Sequence, residues 1–343
     1  MIYNNIPNTD IKVSKICLGT MTFGQQNTEA EAHEQLDFAL DKGVNFIDTA
    51  EMYSVPGKKE TQGSTERFIG SWLKEKRDQV VIATKITGPN PYFSYIRPEL
   101  NFSRASIFEA IEGNLKRLQT DYVDLYQLHW PERKTNFFGR RNFVWDENDT
   151  WSDNFAEVIS ALDDLVKQGK IRHYGVSNET PWGLMRHLSE SEKHNLTRCK
   201  TIQNPYSLLN RTFEMGNAEV AMRENVGLLA YSPLGFGVLS GKYLKEKPAN
   251  ARITLFPQFS RYSNTQALKL TQLYLDLANE HNLSLPQMAL AFVNQQPFVT
   301  ANIIGATNMK QLEENIGSID LNLDADLIKK INTIQDLQPN PAP

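Results

Sequence analysis

Short apolar runs alternate with amphipathic segments of helical period along nearly the whole 343-residue chain. Runs rich in β-branched and aromatic residues read as strands, and apolar residues spaced three and four apart read as helix faces. An opening pair over 2–4 and 12–13 reads as a hairpin turned at 7–10. Core strands are then expected over 16–20, 45–50, 80–85, 123–129, 172–177, 201–205, 227–232 and 303–306. Helices are expected over 28–42, where Ala32, Leu36, Ala39 and Leu40 share a face, and over 65–76, 103–118, 155–168, 182–194, 216–224 and 309–317. Ser103 suits a helix N-cap, and Gly169 suits a helix stop.

Strand and helix in alternation are the signature of βα units and a parallel sheet. Eight strands with intervening helices match a closed barrel better than an open doubly wound sheet. The expected fold is therefore α/β, a (β/α)8 TIM barrel with an N-terminal β-hairpin and extra C-terminal helices. Two of those helices, over 265–280 and 286–295, precede the eighth strand, and one over 324–337 packs outside the barrel. With no linker, repeat or low-complexity stretch, residues 1–343 read as a single domain.

Loop lengths are uneven in an informative way. Those after strands two, three, four and seven are long, whereas opposite-side connections such as 42–44 and 168–171 are short. Long loops on one rim are where a barrel builds its site. The segment 132–152 carries Phe137, Phe138, Phe143, Trp145 and Trp151. It reads either as a wall over an apolar substrate pocket or as an insertion packed on itself.

Composition narrows the function without naming it. Charged residues make up 22% and hydrophobic ones 40%, a balance ordinary for a globular protein. The net charge of −4 and pI near 5.9 argue against bulk attraction for nucleic acid or an anionic membrane. Cys17 and Cys199 lie far apart with no metal-ligand spacing, and Cys17 sits in the apolar run KICLG. A disulfide framework is not expected, and a cytoplasmic setting fits. The N-terminus lacks the apolar core of a secretory signal, and no stretch approaches the roughly 20 apolar residues of a membrane span.

Four polar residues fall where apolar runs end. They are Asp48 and Tyr53 in NFIDTAEMY, Lys85 in VVIATK and His129 in VDLYQLHWP. Taken singly, Asp48 could cap a turn, Tyr53 could be a half-buried aromatic, Lys85 could be solvated and His129 could start a packed loop. Jointly, unpaired charge at apolar strand ends is costly, and active sites of parallel barrels are assembled from several strand ends at one face. An acid, a phenol, an amine and an imidazole converging there would form a proton-delivering site.

These runs, followed by KIRHYGVSN, TIQNPYSLL and LLAYSPLGFGVLSGKY, closely resemble the aldo-keto reductase superfamily from residue 18 to residue 315. The resemblance is strongest to the branch of the potassium-channel β-subunits and the bacterial Tas-like proteins, through ETQG, SLLNR and the Pro-Ala-Pro end. It implies a barrel that reduces aldehydes or ketones with NADP(H), without metal or flavin. A small-molecule carbonyl is then the partner, and oligomeric state is left open. Tyr53 would be the general acid, with Asp48, Lys85 and His129 supporting it. A hydride-accepting carbonyl develops alkoxide character, which a placed donor stabilises and protonates. A free tyrosine, with pKa near 10, is a sluggish acid, and a Lys85 ammonium would lower that value. His129, if neutral, would donate one N–H to the carbonyl oxygen. The alternative is an NADP(H)-binding regulatory or partner-binding module with slow or vestigial turnover.

By the same resemblance, Gly19, Thr20, Met21 and Asp48 lie at the cofactor. Ser177, Asn178 and Gln203 would hold the nicotinamide amide, and Tyr231 would stack on its ring. Read from residues alone, Ser-Asn after a strand is as able to cap the next helix. The run Ser232, Pro233, Leu234, Gly235, Phe236, Gly237, Val238, Leu239, Ser240, Gly241, Lys242, Tyr243 and Leu244 is expected to hold the pyrophosphate. Its glycines let backbone N–H groups approach an anion. Lys242 and Arg252 match positions that grip the 2′-phosphate, though they could be solvated loop charges. Gly305 and Thr307, at a helix N-terminus, and Gln311, Glu314 and Asn315 would contact the adenosine end. Position 311 is glutamine where many relatives carry arginine, so NADPH preference must rest on Lys242 and Arg252. Phe23 and Trp130 are expected at the substrate.

Overall fold

The computed structural model describes residues 1–343. Strands β1 (Tyr3–Asn5) and β2 (Lys12–Ser14) form an antiparallel hairpin. Eight parallel strands then close into a barrel in the order β10-β3-β4-β5-β6-β7-β8-β9. They are β3 (Ile16–Gly19), β4 (Phe46–Asp48), β5 (Val81–Ile86), β6 (Val123–Leu128), β7 (Ile171–Ser177), β8 (Thr201–Pro205), β9 (Gly227–Tyr231) and β10 (Val299–Ile304). Between them run α1 (Glu29–Asp41), α2 (Ser64–Leu73), α3 (Arg104–Leu118), α4 (Phe155–Lys167), α5 (Pro181–His194) and α6 (Asn217–Arg223). After β9 come the short α7 (Arg252–Leu255), then α8 (Thr265–Glu280) and α9 (Leu285–Asn294). Helices α10 (Met309–Gly317) and α11 (Ala325–Leu337) follow β10. The chain thus forms a (β/α)8 TIM barrel with an N-terminal hairpin, as its patterning predicts.

Two apolar clusters follow from the period of two along each strand. Ile82 and Ile86 of β5, with Tyr126 and Leu128 of β6, face outward into the shell shared with the helices. Their alternates Val81, Ala83 and Leu125 point inward, where Cys17, Phe46, Leu229, Ala301 and Ile303 join them. Ile6, Ile11 and Val13 of the hairpin belong to this inner cluster, so the hairpin plugs the end of the barrel at which the strands begin. Continuing inward alternation one step past this apolar layer brings Asp48, Lys85, Gln127 and Gln203 into the barrel mouth. Register agrees: Asp48 pairs with Ala83, Lys85 with Gln127, and Gln203 with Ser177.

Side chains seal several helix starts, at Ser103 as the sequence suggests and at Thr28 in addition. Thr28 and Glu31 form a reciprocal capping box on α1, and Ser103 accepts the Ser106 N–H at the start of α3. The eighth barrel strand departs from expectation: it runs over Val299–Ile304 rather than 303–306. Thr300 and Asn302 interrupt its apolar pattern yet are buried, with the Asn302 amide donating to Leu290 O and Asn294 Oδ1. The short α7 was not foreseen. No helix is long and apolar enough to cross a membrane.

Candidate active site

The long loops over 49–63, 87–103, 129–154 and 232–251 all leave the C-terminal ends of barrel strands. Within the rim they make, Lys85 Nζ donates to Asp48 Oδ2 at 2.6 Å and to Thr49 O at 2.7 Å. Both charged side chains are buried. Breaking such a pair from one side costs about 3–5 kcal/mol, because an uncompensated charge is left behind. The Lys85 ammonium lies 5.1 Å from the Tyr53 ring centre, and the Tyr53 and His129 rings meet edge to face at 5.9 Å. The four strand-end residues are therefore brought together.

Their protonation follows from burial and neighbours. Burial pulls the Lys85 ammonium down, but Asp48 and Tyr53 outweigh it and leave its pKa above the ordinary lysine value. Burial pushes the Tyr53 phenol up, Lys85 opposes this, and the net shift is upward. The expectation of a lowered tyrosine pKa is thus corrected, since desolvation exceeds the attraction of a lysine already paired with Asp48. Burial and then the Lys85 charge hold His129 well below the usual histidine value, so its ring is neutral. Its Nδ1 has no partner.

One member of the cluster was missed by sequence reasoning. Gln127 donates to Asp48 Oδ1 at 3.2 Å, and Gln203 donates to the same oxygen at 2.8 Å and to Gln127 Oε1 at 3.1 Å. The carboxylate is held by Lys85 on one oxygen and by two amides on the other. Inward alternation from Leu125 through 127 to His129 would have flagged Gln127 as a polar residue facing the mouth.

Across the mouth, Tyr231 donates its hydroxyl to Asn178 Oδ1 at 2.6 Å, and Asn178 Nδ2 donates to His129 O at 2.9 Å. Asn178 thus links the two halves of the rim, from a left-handed backbone conformation at φ 56°. Ser177 Oγ donates to Gln203 O at 2.8 Å. Thr20, fully buried, donates to Asp48 O at 2.8 Å. Gly19 sits in the β3–β10 seam, where a Cβ would lie 2.7 Å from Ile303 Cγ2.

The segment after β9 folds as a run of tight turns. Ser232, Gly235, Phe236, Gly237 and Gly241 all have positive φ, and the turns they make are closed by the N–H groups of Gly235, Gly237, Leu239 and Gly241, which donate to Ser232 O, Leu234 O, Leu234 O and Val238 O. Pro233, Val238 and Leu239 are buried and anchor it, Leu234 and Phe236 pack on the core, and Ser240 Oγ donates to Gly237 O. Tyr243 Oη accepts the Ile253 N–H at 3.2 Å, and Leu244 N–H donates to Gly241 O, so the segment is tied to α7. Lys242 and Arg252, half-buried side by side, form no ion pair with any carboxylate. Arg252 reaches only Met21 Sδ, at 3.6 Å, and the Phe236 face at 5.5 Å. Burial lowers both pKa values, and the Arg252 charge lowers Lys242 further. Two half-buried cations without carboxylate partners can hold an anion between them.

At the other end of the rim, Gln311 Oε1 accepts from Thr307 N at 3.0 Å and from Thr307 Oγ1 at 3.1 Å. Asn315 donates to Gly305 O, and Glu314 accepts from Ser284 Oγ, which turns it toward α9. Open space stands above Gly305, where only Gly19 O would come within 4.0 Å of a Cβ. Phe23, by contrast, exposes no surface and packs in the outer core, so it is not brought to the mouth. Trp130 is nearly buried, donates to Pro89 O, and packs on His129, Phe93 and Phe138. The aromatic insertion divides: Phe137 and Phe138 gather around Trp130, Trp151 packs on Phe155, and Phe143 and Trp145 point to solvent.

Residues 15–336 match the model of the Aldo/keto reductase family. The chain is 50% identical to Protein tas of Escherichia coli (strain K12) over the full length of both. It is 35% identical to the Uncharacterized oxidoreductase YrpG of Bacillus subtilis (strain 168), across 97% of this chain and 96% of that one. It is 26% identical to Norsolorinic acid reductase B of Dothistroma septosporum, across 95% of this chain and 79% of that one.

Proposed function

The chain belongs to the aldo/keto reductase family and is an oxidoreductase; on that premise we propose that it reduces an aldehyde or ketone to the alcohol, with NADPH as hydride source and Tyr53 as proton source. The carrying observation is a protonated, largely desolvated phenol beside a buried lysine already paired with aspartate, near enough to Arg252 to feel its charge. The donor set fits a phosphorylated dinucleotide: Lys242, Arg252 and the positive-φ segment suit its phosphates, and the open space above Gly305 suits its adenosine end. Asn178, Gln203 and Tyr231 suit the nicotinamide, which when bound supplies a hydride to the carbonyl carbon.

As that carbon accepts the hydride, negative charge grows on the carbonyl oxygen. The Tyr53 hydroxyl donates a hydrogen bond to it and then transfers its proton, completing the alcohol. The phenolate left behind is stabilised by Lys85, which Asp48 keeps charged and in place. Neutral His129 orients the carbonyl through a ring N–H. Gln127 and Gln203 fix Asp48, so Lys85 cannot follow the developing charge away from its post.

Mixing the purified chain with NADPH and an aromatic aldehyde tests this directly. Stoichiometric loss of reduced-nicotinamide absorbance with formation of the alcohol is expected. Tight NADPH binding with no alcohol formed would instead favour a cofactor-binding module.

A further inference from the structure

Two residues before Tyr53, the Glu51 carboxylate is buried and fully engaged. Arg97 grips it as a fork, with Nη1 to Oε2 at 2.7 Å and Nη2 to Oε1 at 2.9 Å, and the Thr87 N–H donates to Oε1. Neither charged side chain exposes more than 3% of its surface. The backbone of the same residue is also tied: Glu51 N–H donates to Lys85 O at 3.2 Å, and Glu51 O accepts from Gln62 Nε2 at 2.6 Å. Beyond it, Gly63 N–H donates to Tyr53 O at 2.7 Å. One carboxylate therefore joins three segments: the loop carrying Tyr53, the end of β5 just past Lys85, and the later loop carrying Arg97.

Stability alone does not explain the arrangement. Desolvation offsets much of the attraction in a buried ion pair, and apolar residues of similar volume would pack at least as well. What the fork supplies is direction, because two parallel N–H bonds fix the plane of the carboxylate. That plane is fixed two residues from the phenol and beside the strand that carries Lys85.

We propose that the Glu51–Arg97 pair is a positioning device, holding the segment over 51–53 so that the Tyr53 hydroxyl meets Lys85 and the substrate oxygen. The inference rests on the reading of Tyr53 as proton source. Neither Glu51 nor Arg97 touches the reacting atoms in this role; both act through Tyr53.

The test is single-turnover oxidation of bound NADPH by an aromatic aldehyde in Arg97→Met and Arg97→Lys, each in the wild-type and Tyr53→Phe backgrounds. Arg97→Met is expected to slow hydride transfer by up to about 100-fold, the scale of a 1 Å misplacement. Arg97→Lys, which keeps the charge and loses the fork, is expected to slow it less, and NADPH affinity is expected to hold. In the Tyr53→Phe background neither change should cost anything further. Equal losses in both backgrounds, or wild-type rates in both variants, would overturn the proposal. Should Arg97→Met not fold, Arg97→Lys decides by the same criteria. Should Tyr53→Phe retain full turnover, the reading of Tyr53 fails, and position is then judged by ¹⁹F NMR of fluorotyrosine-labelled protein. A Tyr53 resonance, assigned by its loss in Tyr53→Phe, that moves in Arg97→Lys keeps the device; an unmoved one removes it.

Discussion

A phenol whose pKa is raised is a reluctant acid at rest, and that is useful at Tyr53. It stays protonated through neutrality, and Lys85 acts only as the phenolate forms. His129 is held neutral over the same range. The reduction rate is therefore expected to show no inflection between about pH 6 and 8; a break near the ordinary histidine value would contradict this assignment. Gln127→Leu should leave the fold intact at a cost of about 1–3 kcal/mol, because two buried hydrogen bonds are lost while Gln203 still holds Asp48 Oδ1. It should also slow hydride transfer while sparing NADPH affinity, which denaturant titration and single-turnover kinetics would check. At this scale Asp48, Tyr53, Lys85 and His129 were legible because each polar group ends an apolar run. Gln127 was not, since it sits inside one. Phe23 misled in the opposite sense: an aromatic close to the mouth in sequence is turned wholly into the core.

Among the elements, α7 and the glycine-rich turns after β9 carry the cofactor reading. Arg252→Ala is expected to weaken NADPH by roughly 10- to 100-fold, the loss of one charge-assisted contact, and NADH far less. Equal losses for both cofactors, measured by fluorescence titration, would sink the 2′-phosphate role. Helix α5 supplies a separate prediction about stability. Burial, with Arg133 and Arg186 nearby, holds His187 at about 3, so it is neutral in the folded protein and packs edge-on to Phe155. The unfolded chain binds that proton below about pH 6.5, so stability is lost as pH falls from there toward about 3, by up to about 1.4 kcal/mol per pH unit. His187→Gln should flatten this slope in thermal or denaturant unfolding, and an unchanged slope would show that other groups set it. Strand positions were legible where apolar alternation was unbroken. They slipped at β10, where Thr300 and Asn302 are buried in the wall and the Asn302 amide donates to Leu290 O and Asn294 Oδ1.

For the whole molecule, the closed barrel explains why one rim holds all the chemistry. Its inner core is apolar from the hairpin plug to the level of Phe46, Ala83 and Leu125, and the next inward layer is Asp48, Lys85, Gln127 and Gln203. The alternation of elements made the barrel legible from patterning. Long-range partnerships such as Glu51 with Arg97 were not, because each charge alone reads as an ordinary loop residue. The central claim is that Tyr53 gives the proton while cofactor binding is organised elsewhere. Single-turnover oxidation of bound NADPH by an aromatic aldehyde, compared between wild type and Tyr53→Phe at equal cofactor occupancy, tests it most directly. The account predicts unchanged NADPH affinity and hydride transfer slowed by about 100-fold or more; superimposable traces would contradict it.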